Sequence, residues 1–230
     1  MAKKIVDEMP PHKVYVEPFA GAGHVFFQKP KAEVNVLNDA NHELIQFFKD
    51  IKGKKLCCNI GSDKEKFLSL RNKSNKSACE KIYVNKNSFG GYRTFTDGAT
   101  YGYVKKPLGQ LECIDGNKLS GVHLESKDFR ETIKQHDSKD TLFYVDPPYV
   151  KANEKECLYG KGFCGVTPKD VADSVKNVKG KVIVSYDDHP DVRKAFHDFK
   201  IKKIDLQYQF ARDKNLKHKG KTKELLIKNY

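Results

Sequence analysis

Residues 14–16 (Val-Tyr-Val) form a short β-branched and aromatic run, followed by Glu17-Pro18-Phe19 and then Gly21-Ala22-Gly23. That order reads as a strand, a tight turn and the start of a helix. A second strand fits residues 34–37 and ends at Asn38-Asp39. The next segment, 42–51, carries Leu44, Ile45, Phe47, Phe48 and Ile51 at helical spacing, with Asn41 placed as its N-cap. A β-α-β-α opening of this kind predicts a right-handed crossover and a parallel sheet. Between Gly53 and Gly121 the pattern weakens into Lys, Asn, Ser and Gly with scattered aromatics, which marks an insertion or a small second module. Alternation then resumes. A short strand fits 122–124, a helix 129–136, and 141–145 (Thr-Leu-Phe-Tyr-Val) is the most apolar strand-like run of the chain. Thr167-Pro168 opens a helix with proline in its first turn; 182–185 reads as another buried strand, and Pro190 starts a helix through Phe196. Residues 201–210 and 224–227 read as two closing strands, joined by a mobile basic loop over 212–223. There is no internal repeat and no coiled-coil heptad.

A chain of 230 residues has room for one large domain, or for a core domain with a compact insertion. Hydrophobic residues make up 38% and charged residues 32%, with 14 Phe and 11 Tyr, a balance too rich in aromatics for a disordered chain. The formal net charge of +13 favours a polyanionic partner such as nucleic acid or an anionic membrane surface, although a general lysine bias would produce much of the same surplus. Only Arg71, Arg93, Arg130, Arg193 and Arg212 are arginines. No apolar run approaches the ~20 residues that span a bilayer, and no signal peptide precedes residue 11, so the sequence reads as that of a soluble intracellular protein. The six cysteines (Cys57, Cys58, Cys79, Cys113, Cys157, Cys164) include no C-x-x-C pair and read as reduced thiols rather than a disulfide framework or a zinc site.

Ligands of an open parallel sheet bind beyond the carboxyl ends of its strands, and three polar clusters fall there. The glycine turn after the first strand lets backbone approach a ligand, and the helix start beyond it offers unpaired N–H groups. It does not meet the dinucleotide fingerprint, because the third glycine is replaced by Phe26. Asp39 is placed either to accept the two hydroxyls of a ribose or to cap the helix that follows. Asp128, after the third strand, is placed to accept from an adenine amino group. The third cluster is Asp146-Pro147-Pro148-Tyr149, at the end of a fully apolar strand. Two prolines fix φ and remove two donors, which leaves carbonyls free to accept. Carboxylate and carbonyl together make an acceptor site for a planar NH₂ group, and Tyr149 offers a face for an aromatic ring.

With these clusters the sequence resembles the Dam-like DNA adenine-N6 methyltransferases, in the arrangement with the glycine turn first, target recognition in the middle and the Asp-Pro-Pro-Tyr tetrad last. The likeness rests on residues 17–23, on Asn38-Asp39-Ala40-Asn41, on 83–91 (Tyr-Val-Asn-Lys-Asn-Ser-Phe-Gly-Gly), on 143–149, on 184–190 and on the closing 223–230. It implies a Rossmann-like α/β fold, with a mostly parallel sheet, helices on both faces and a closing antiparallel strand. Residues 1–52 and 121–230 would form the catalytic domain that binds S-adenosylmethionine, and 53–120 an inserted target-recognition region. The resemblance implies a cofactor site of Pro18, Phe19, Ala20, Gly21, Gly23, Asp39, Asp128, Phe129 and Asp146, and a catalytic tetrad of Asp146, Pro147, Pro148 and Tyr149. It requires no metal. Double-stranded DNA is the implied partner, met by Asn85, Asn87, Arg93, Lys105, Lys106, Arg212, Lys214, Lys217, Lys219 and Lys221, with Arg93 reading a guanine edge. The resemblance also implies a prokaryotic, viral or phage-encoded cytoplasmic protein and leaves open a cognate restriction endonuclease for the same site. Asp146 favours adenine, since cytosine-N4 enzymes more often carry Ser there and protein-glutamine enzymes Asn; an RNA adenine enzyme and a catalytically silent DNA-binding module are the alternatives. Family members usually carry a Gly-Gly-Lys segment upstream of the glycine turn. None lies in residues 1–16, which implies a naturally short chain, a truncated start or a weaker grip on the cofactor.

Overall fold

The computed structural model describes residues 1–88, 99, 101–102, 106–107, 109–150, 165–207 and 221–230, with the side chains of 205–207 and 221–223 left aside. Seven strands form the main sheet: β1 (Val14–Glu17), β2 (Val34–Asn38), β5 (His123–Glu125), β6 (Thr141–Val145), β7 (Lys181–Asp187), β8 (Lys200–Gln207) and β9 (Lys221–Lys228). Their order is β5-β2-β1-β6-β7-β9-β8. All pairs from β5 to β7 are parallel, and β9 runs antiparallel between β7 and β8. Central strands buried on both faces need apolar residues at nearly every position, and β6 has no exposed residue.

Period-two alternation sends Val16, Phe143, Val145, Val182 and Val184 to one face of the sheet, where they pack with Phe129 and Ile133 of α5 (Phe129–His136), Val171 and Val175 of α6 (Pro168–Val175) and Val192 of α7 (Pro190–Ala195). Tyr15, Leu37, Leu142, Tyr144 and Ile183 point to the other face, against Ile5 of α1 (Ala2–Asp7) and the stripe Leu44, Ile45, Phe48 and Ile51 of α2 (His42–Ile51). Each such side chain, fully buried, contributes about 1.5–3 kcal/mol. α1 is tied to the far edge of the sheet, where Glu8 pairs with Lys202 and Lys228 and its carbonyl accepts from the Tyr230 hydroxyl at 2.9 Å. Among the described residues no helix is long and apolar enough to cross a membrane.

Three expectations need correction. The helix foreseen after Gly23 is a series of turns: Phe27 N–H reaches the Gly23 carbonyl at 2.9 Å and Lys29 N–H that of Val25 at 3.1 Å, but no continuous helix forms before Pro30. Proline lacks the donor that would extend it, and Val25 and Phe26 are drawn into the core instead. The weakly patterned middle holds regular structure: α3 (Lys64–Arg71), α4 (Ala78–Asn87) and an antiparallel pair, β3 (Lys55–Asn59) and β4 (Leu111–Asp115). Its signals are caps rather than periodicity. Asp63 caps α3, and a reciprocal Ser77–Glu80 box caps α4. Finally, the cysteines of this region are not reduced thiols. The β3–β4 register sets Cys57 opposite Cys113, and the adjacent Cys58 meets Cys79 on α4, giving two disulfides. Linear spacing hides both pairs, because their partners lie 56 and 21 residues apart and meet only once the strands and α4 are in place. Cys157 and Cys164 lie outside the described residues, as does most of the basic segment 212–223; its last three residues already belong to β9.

Candidate active site

Strand order reverses at β1, whose neighbours are β2 on one side and β6 on the other, and the loops leaving these strands meet at their carboxyl ends. The turn after β1 needs both glycines. Gly21 and Gly23 have φ of +48° and +67°, a region that L side chains rarely adopt. An added Cβ at Gly21 would meet nothing within 4 Å, so open space lies over the turn, whereas one at Gly23 would sit 3.1 Å from the Phe27 ring. Asp39 holds this turn in place. Its carboxylate accepts from Gly21 N–H and from Asn41 N–H, both at 2.9 Å. Burial raises its pKa, opposed by these two bonds. The capping reading therefore does not apply, since Asn41 accepts from Leu44 N–H and caps α2 itself.

Asn38 is the residue on which the three loops converge. Fully buried, it donates to the Pro18 carbonyl at 2.9 Å and the Lys127 carbonyl at 3.0 Å, accepts from Lys127 N–H at 2.9 Å, and takes Ala20 N–H on its own carbonyl at 2.8 Å. Pro18, Ala20 and the chain entering Asp128 are thereby fixed to the end of β2. Asp128 caps α5 through Arg130 N–H at 2.8 Å and also pairs with the Arg130 guanidinium at 3.0 Å. Next to it the Phe129 and Phe19 rings lie 4.8 Å apart.

Beyond β6 the tetrad is held from β7. Ser185 Oγ donates to Asp146 Oδ1 at 2.9 Å, the Tyr144 hydroxyl lies 2.9 Å from Ser185 Oγ, and the Tyr186 hydroxyl donates to the Pro148 carbonyl at 3.3 Å. Tyr149 packs its ring 5.8 Å from that of Tyr186 and donates to Asp146. Among the described residues none donates to the Pro147 carbonyl. Burial pushes Asp146 up to about 6, against the stabilising influence of the Ser185, Tyr149 and Tyr144 hydroxyls, so the carboxylate is ionised at neutral pH. Glu17, at the end of β1 and 1% exposed, accepts from the Tyr15 hydroxyl at 2.6 Å. Burial pushes it up to about 8, and the neighbouring charge of Asp146 acts in the same direction.

The sequence that builds this layout has named relatives. A family model described as D12 class N6 adenine-specific DNA methyltransferase matches residues 1–210. The chain belongs to that family. The methyltransferase is 26% identical to the type II methyltransferase M.MjaIII of Methanocaldococcus jannaschii, over 95% of this chain and 89% of that protein. It is 24% identical to a DNA adenine methylase of Vibrio cholerae, over 98% and 90% of the two chains, and 26% identical to a DNA N-6-adenine-methyltransferase of Escherichia phage P1, over 85% of this chain and 29% of the phage protein. Enzymes of this family transfer a methyl group to the N6 of adenine in DNA, and methyltransferases in general take it from S-adenosylmethionine.

The expected site residues Pro18, Phe19, Ala20, Gly21, Gly23, Asp39, Asp128, Phe129 and the tetrad all follow the carboxyl ends of neighbouring strands of the methyltransferase. The nucleic-acid set does not assemble in the same way. Asn87 is 1% exposed; its amide donates to the Ile60 and Tyr83 carbonyls and its oxygen accepts from Ser62, so its side chain ties α4 to the segment between β3 and α3 instead of standing at the surface. Lys106 turns its ammonium toward the Lys86 carbonyl and Asn87. Asn85 is half-buried on α4, its carbonyl accepting from the Ser88 N–H and hydroxyl. Arg93, Lys105, Arg212, Lys214, Lys217 and Lys219 lie outside the described residues, and Lys221 begins β9. Sequence reasoning passed over Glu17, Asn38, Tyr144, Ser185 and Tyr186. The available signal was a polar group at or near the end of an otherwise apolar strand.

Proposed function

We propose that the chain methylates adenine N6 in double-stranded DNA at the carboxyl end of β6, with Asp146 and the Pro147 carbonyl receiving the two amino hydrogens of an extruded base. What supports this most directly is that the Pro147 carbonyl has no donor among the described residues, while the Asp146 carboxylate beside it is held by Ser185. Accepting both hydrogens draws the conjugated nitrogen lone pair toward tetrahedral geometry and aims it out of the ring plane. A base inside the duplex does not reach such a site, so the adenine must rotate out, at a few kcal/mol. Stacking on Tyr149 returns roughly 1–3 kcal/mol of that. Alignment of two substrates supplies on the order of 7–11 kcal/mol, enough that Asp146 need not act as a strong base.

The residues present fit S-adenosylmethionine. The open space over Gly21, the Asp39 carboxylate and the rings of Phe19 and Phe129 suit a nucleoside, and the ionised Asp146 at the end of β6 suits a cation. Pro18, Phe19, Ala20, Gly21, Gly23, Asp39, Asp128, Phe129 and Asp146 would hold it, and once bound it supplies the electrophilic methyl group. Residues 53–120 would carry target recognition, with Arg93 reading a guanine edge and Lys105, Lys214, Lys217, Lys219 and Lys221 meeting phosphates. A restriction endonuclease acting on the same sequence is part of this proposal as a partner of the chain. Methyl transfer from labelled cofactor to unmethylated duplex DNA, with mapping of the modified base, tests the reading. Asp146→Ala should lose at least about 100-fold in rate. Labelling of RNA alone, or DNA retardation with no heat of cofactor binding, would overturn it.

A further inference from the structure

We infer that Tyr144 and Ser185 form a relay of positioning residues that holds the Asp146 carboxylate in place for the reaction without touching the base. The inference rests on the role proposed for Asp146. Proton counting sets the direction of the relay. A serine hydroxyl has one proton, and that of Ser185 goes to Asp146 Oδ1 at 2.9 Å. The 2.9 Å contact between Tyr144 and Ser185 is then a hydrogen bond only if the tyrosine donates. The chain of donors runs one way, from Tyr144 through Ser185 to Asp146.

Both hydroxyls stand where apolar groups would be expected. Tyr144 is 3% exposed and Ser185 1%, on strands whose neighbouring positions are Phe143, Val145, Ile183 and Val184. Phenylalanine and alanine would pack there with no polar atom to satisfy. The pairing of Val145 with Val184 places the next residues, Asp146 and Ser185, side by side at the end of two parallel strands. Ser185 is anchored by a strand inside the sheet, so its hydroxyl fixes one rotamer of a carboxylate that otherwise sits on a turn.

A bond donated to the charged form also favours ionisation, so the relay sets how low in pH Asp146 keeps its charge. The groups facing it include Tyr149 from the tetrad, which also donates, and Glu17 and Tyr15 from β1, whose acidic protons its charge makes harder to lose. Glu224 of β9 acts on Tyr144, and Lys4 of α1 shares with Ser185 and Glu224 the lining of a small cavity behind the relay.

The test compares wild type, Ser185→Ala, Ser185→Thr, Tyr144→Phe and Asp146→Ala in methyl transfer to duplex DNA. The titration of Asp146 is followed separately in the cofactor-free protein by carboxyl NMR, with Asp146→Asn identifying the resonance. Ser185→Ala should lower kcat about 10- to 100-fold, leave KM for cofactor and DNA within about twofold, and move the acid limb of kcat and the Asp146 titration up by about one pH unit. Tyr144→Phe should act in the same direction by a smaller factor, and Ser185→Thr should restore both readouts. An inactive Asp146→Ala alongside a Ser185→Ala that matches wild type in kcat and in Asp146 titration overturns the relay alone. So does a loss in Ser185→Ala that is equal at every pH and not restored by threonine. Full activity in Asp146→Ala removes the reading of the site, and the relay with it. Tyr144→Phe removes a single oxygen from a buried ring and keeps the test decisive should Ser185→Ala fail to fold.

Discussion

Glu17 is the most exposed prediction of the fold to a simple measurement, because a buried acid makes stability depend on pH in a calculable way. Its pKa rises from an ordinary 4.5 to about 8, chiefly by burial. Between those values the folded chain binds a proton that the unfolded chain has already released. Stability is therefore complete below about pH 4.5 and is lost as pH climbs toward 8, opposite in sign to a salt-bridged carboxylate. Integrated from pH 5 to pH 8, the loss is roughly 3–4 kcal/mol. Asp146, raised to about 6, contributes in the same direction. Glu17→Gln keeps an oxygen for the Tyr15 hydroxyl and removes the titration, so the difference between the two proteins isolates this one group. Urea unfolding at pH 5 and pH 8 is the assay. Going from pH 5 to pH 8, the wild-type midpoint should fall by roughly 1 M more than that of the variant. Midpoints that move in parallel would refute the burial argument and leave Glu17 an ordinary solvated acid.

Three further outcomes are expected. Asn38→Ala leaves the Pro18 and Lys127 carbonyls and the Lys127 N–H without partners, which should cost about 2–4 kcal/mol in urea unfolding and weaken calorimetric cofactor binding. An unchanged affinity would show that the loops hold their shape without it. Gly23→Ala meets both a φ of +67° and the Phe27 ring at 3.1 Å, and should destabilise by at least about 1–2 kcal/mol, whereas Gly21→Ala meets only the backbone penalty. Equal thermal shifts in the two variants would rule out the packing contribution. Arg93→Ala should change discrimination among DNA sequences by about 1–3 kcal/mol while leaving cofactor binding as it was; an equal loss on every sequence would count against base reading.

The parts of the fold legible in the sequence are those built on hydrophobic periodicity. The run 141–145 is the most apolar of the chain and is a central strand buried at every position, and the Leu44, Ile45, Phe48, Ile51 stripe is the buried face of α2. The tetrad and the glycine turn were legible because proline and glycine leave fixed marks on the backbone. The insertion was not. The caps of α3 and α4 are local, but the packing of Phe67 and Leu70 on Tyr83 and Val84, the disulfides and the buried amide of Asn87 depend on partners distant in sequence. For the same reason Asn87 read as a residue for DNA. Ser185 and Asn38 escaped because a single polar residue in a strand does not reveal which neighbour it meets. That follows only from strand order.

Strand order also accounts for why the chemistry gathers at this edge. The strands β1, β2, β6 and β7 are stiff because both faces are buried, and each ends in a buried or half-buried polar group: Glu17 bonds back to Tyr15 of its own strand, while the others reach a neighbouring loop or strand, Asn38 to Pro18 and Lys127, Asp146 to Ser185, and Asp187 to Val150 N–H at 3.2 Å. Those bonds are strong because the surroundings exclude water, and the same exclusion raises the carboxyl groups Glu17 and Asp146 toward neutral pH. Rigidity and perturbed acidity thus share one cause. A substitution that lets water into the core beneath Tyr15 and Tyr144 should lower both pKa values and loosen the tetrad together, whereas a change confined to the insertion should alter neither.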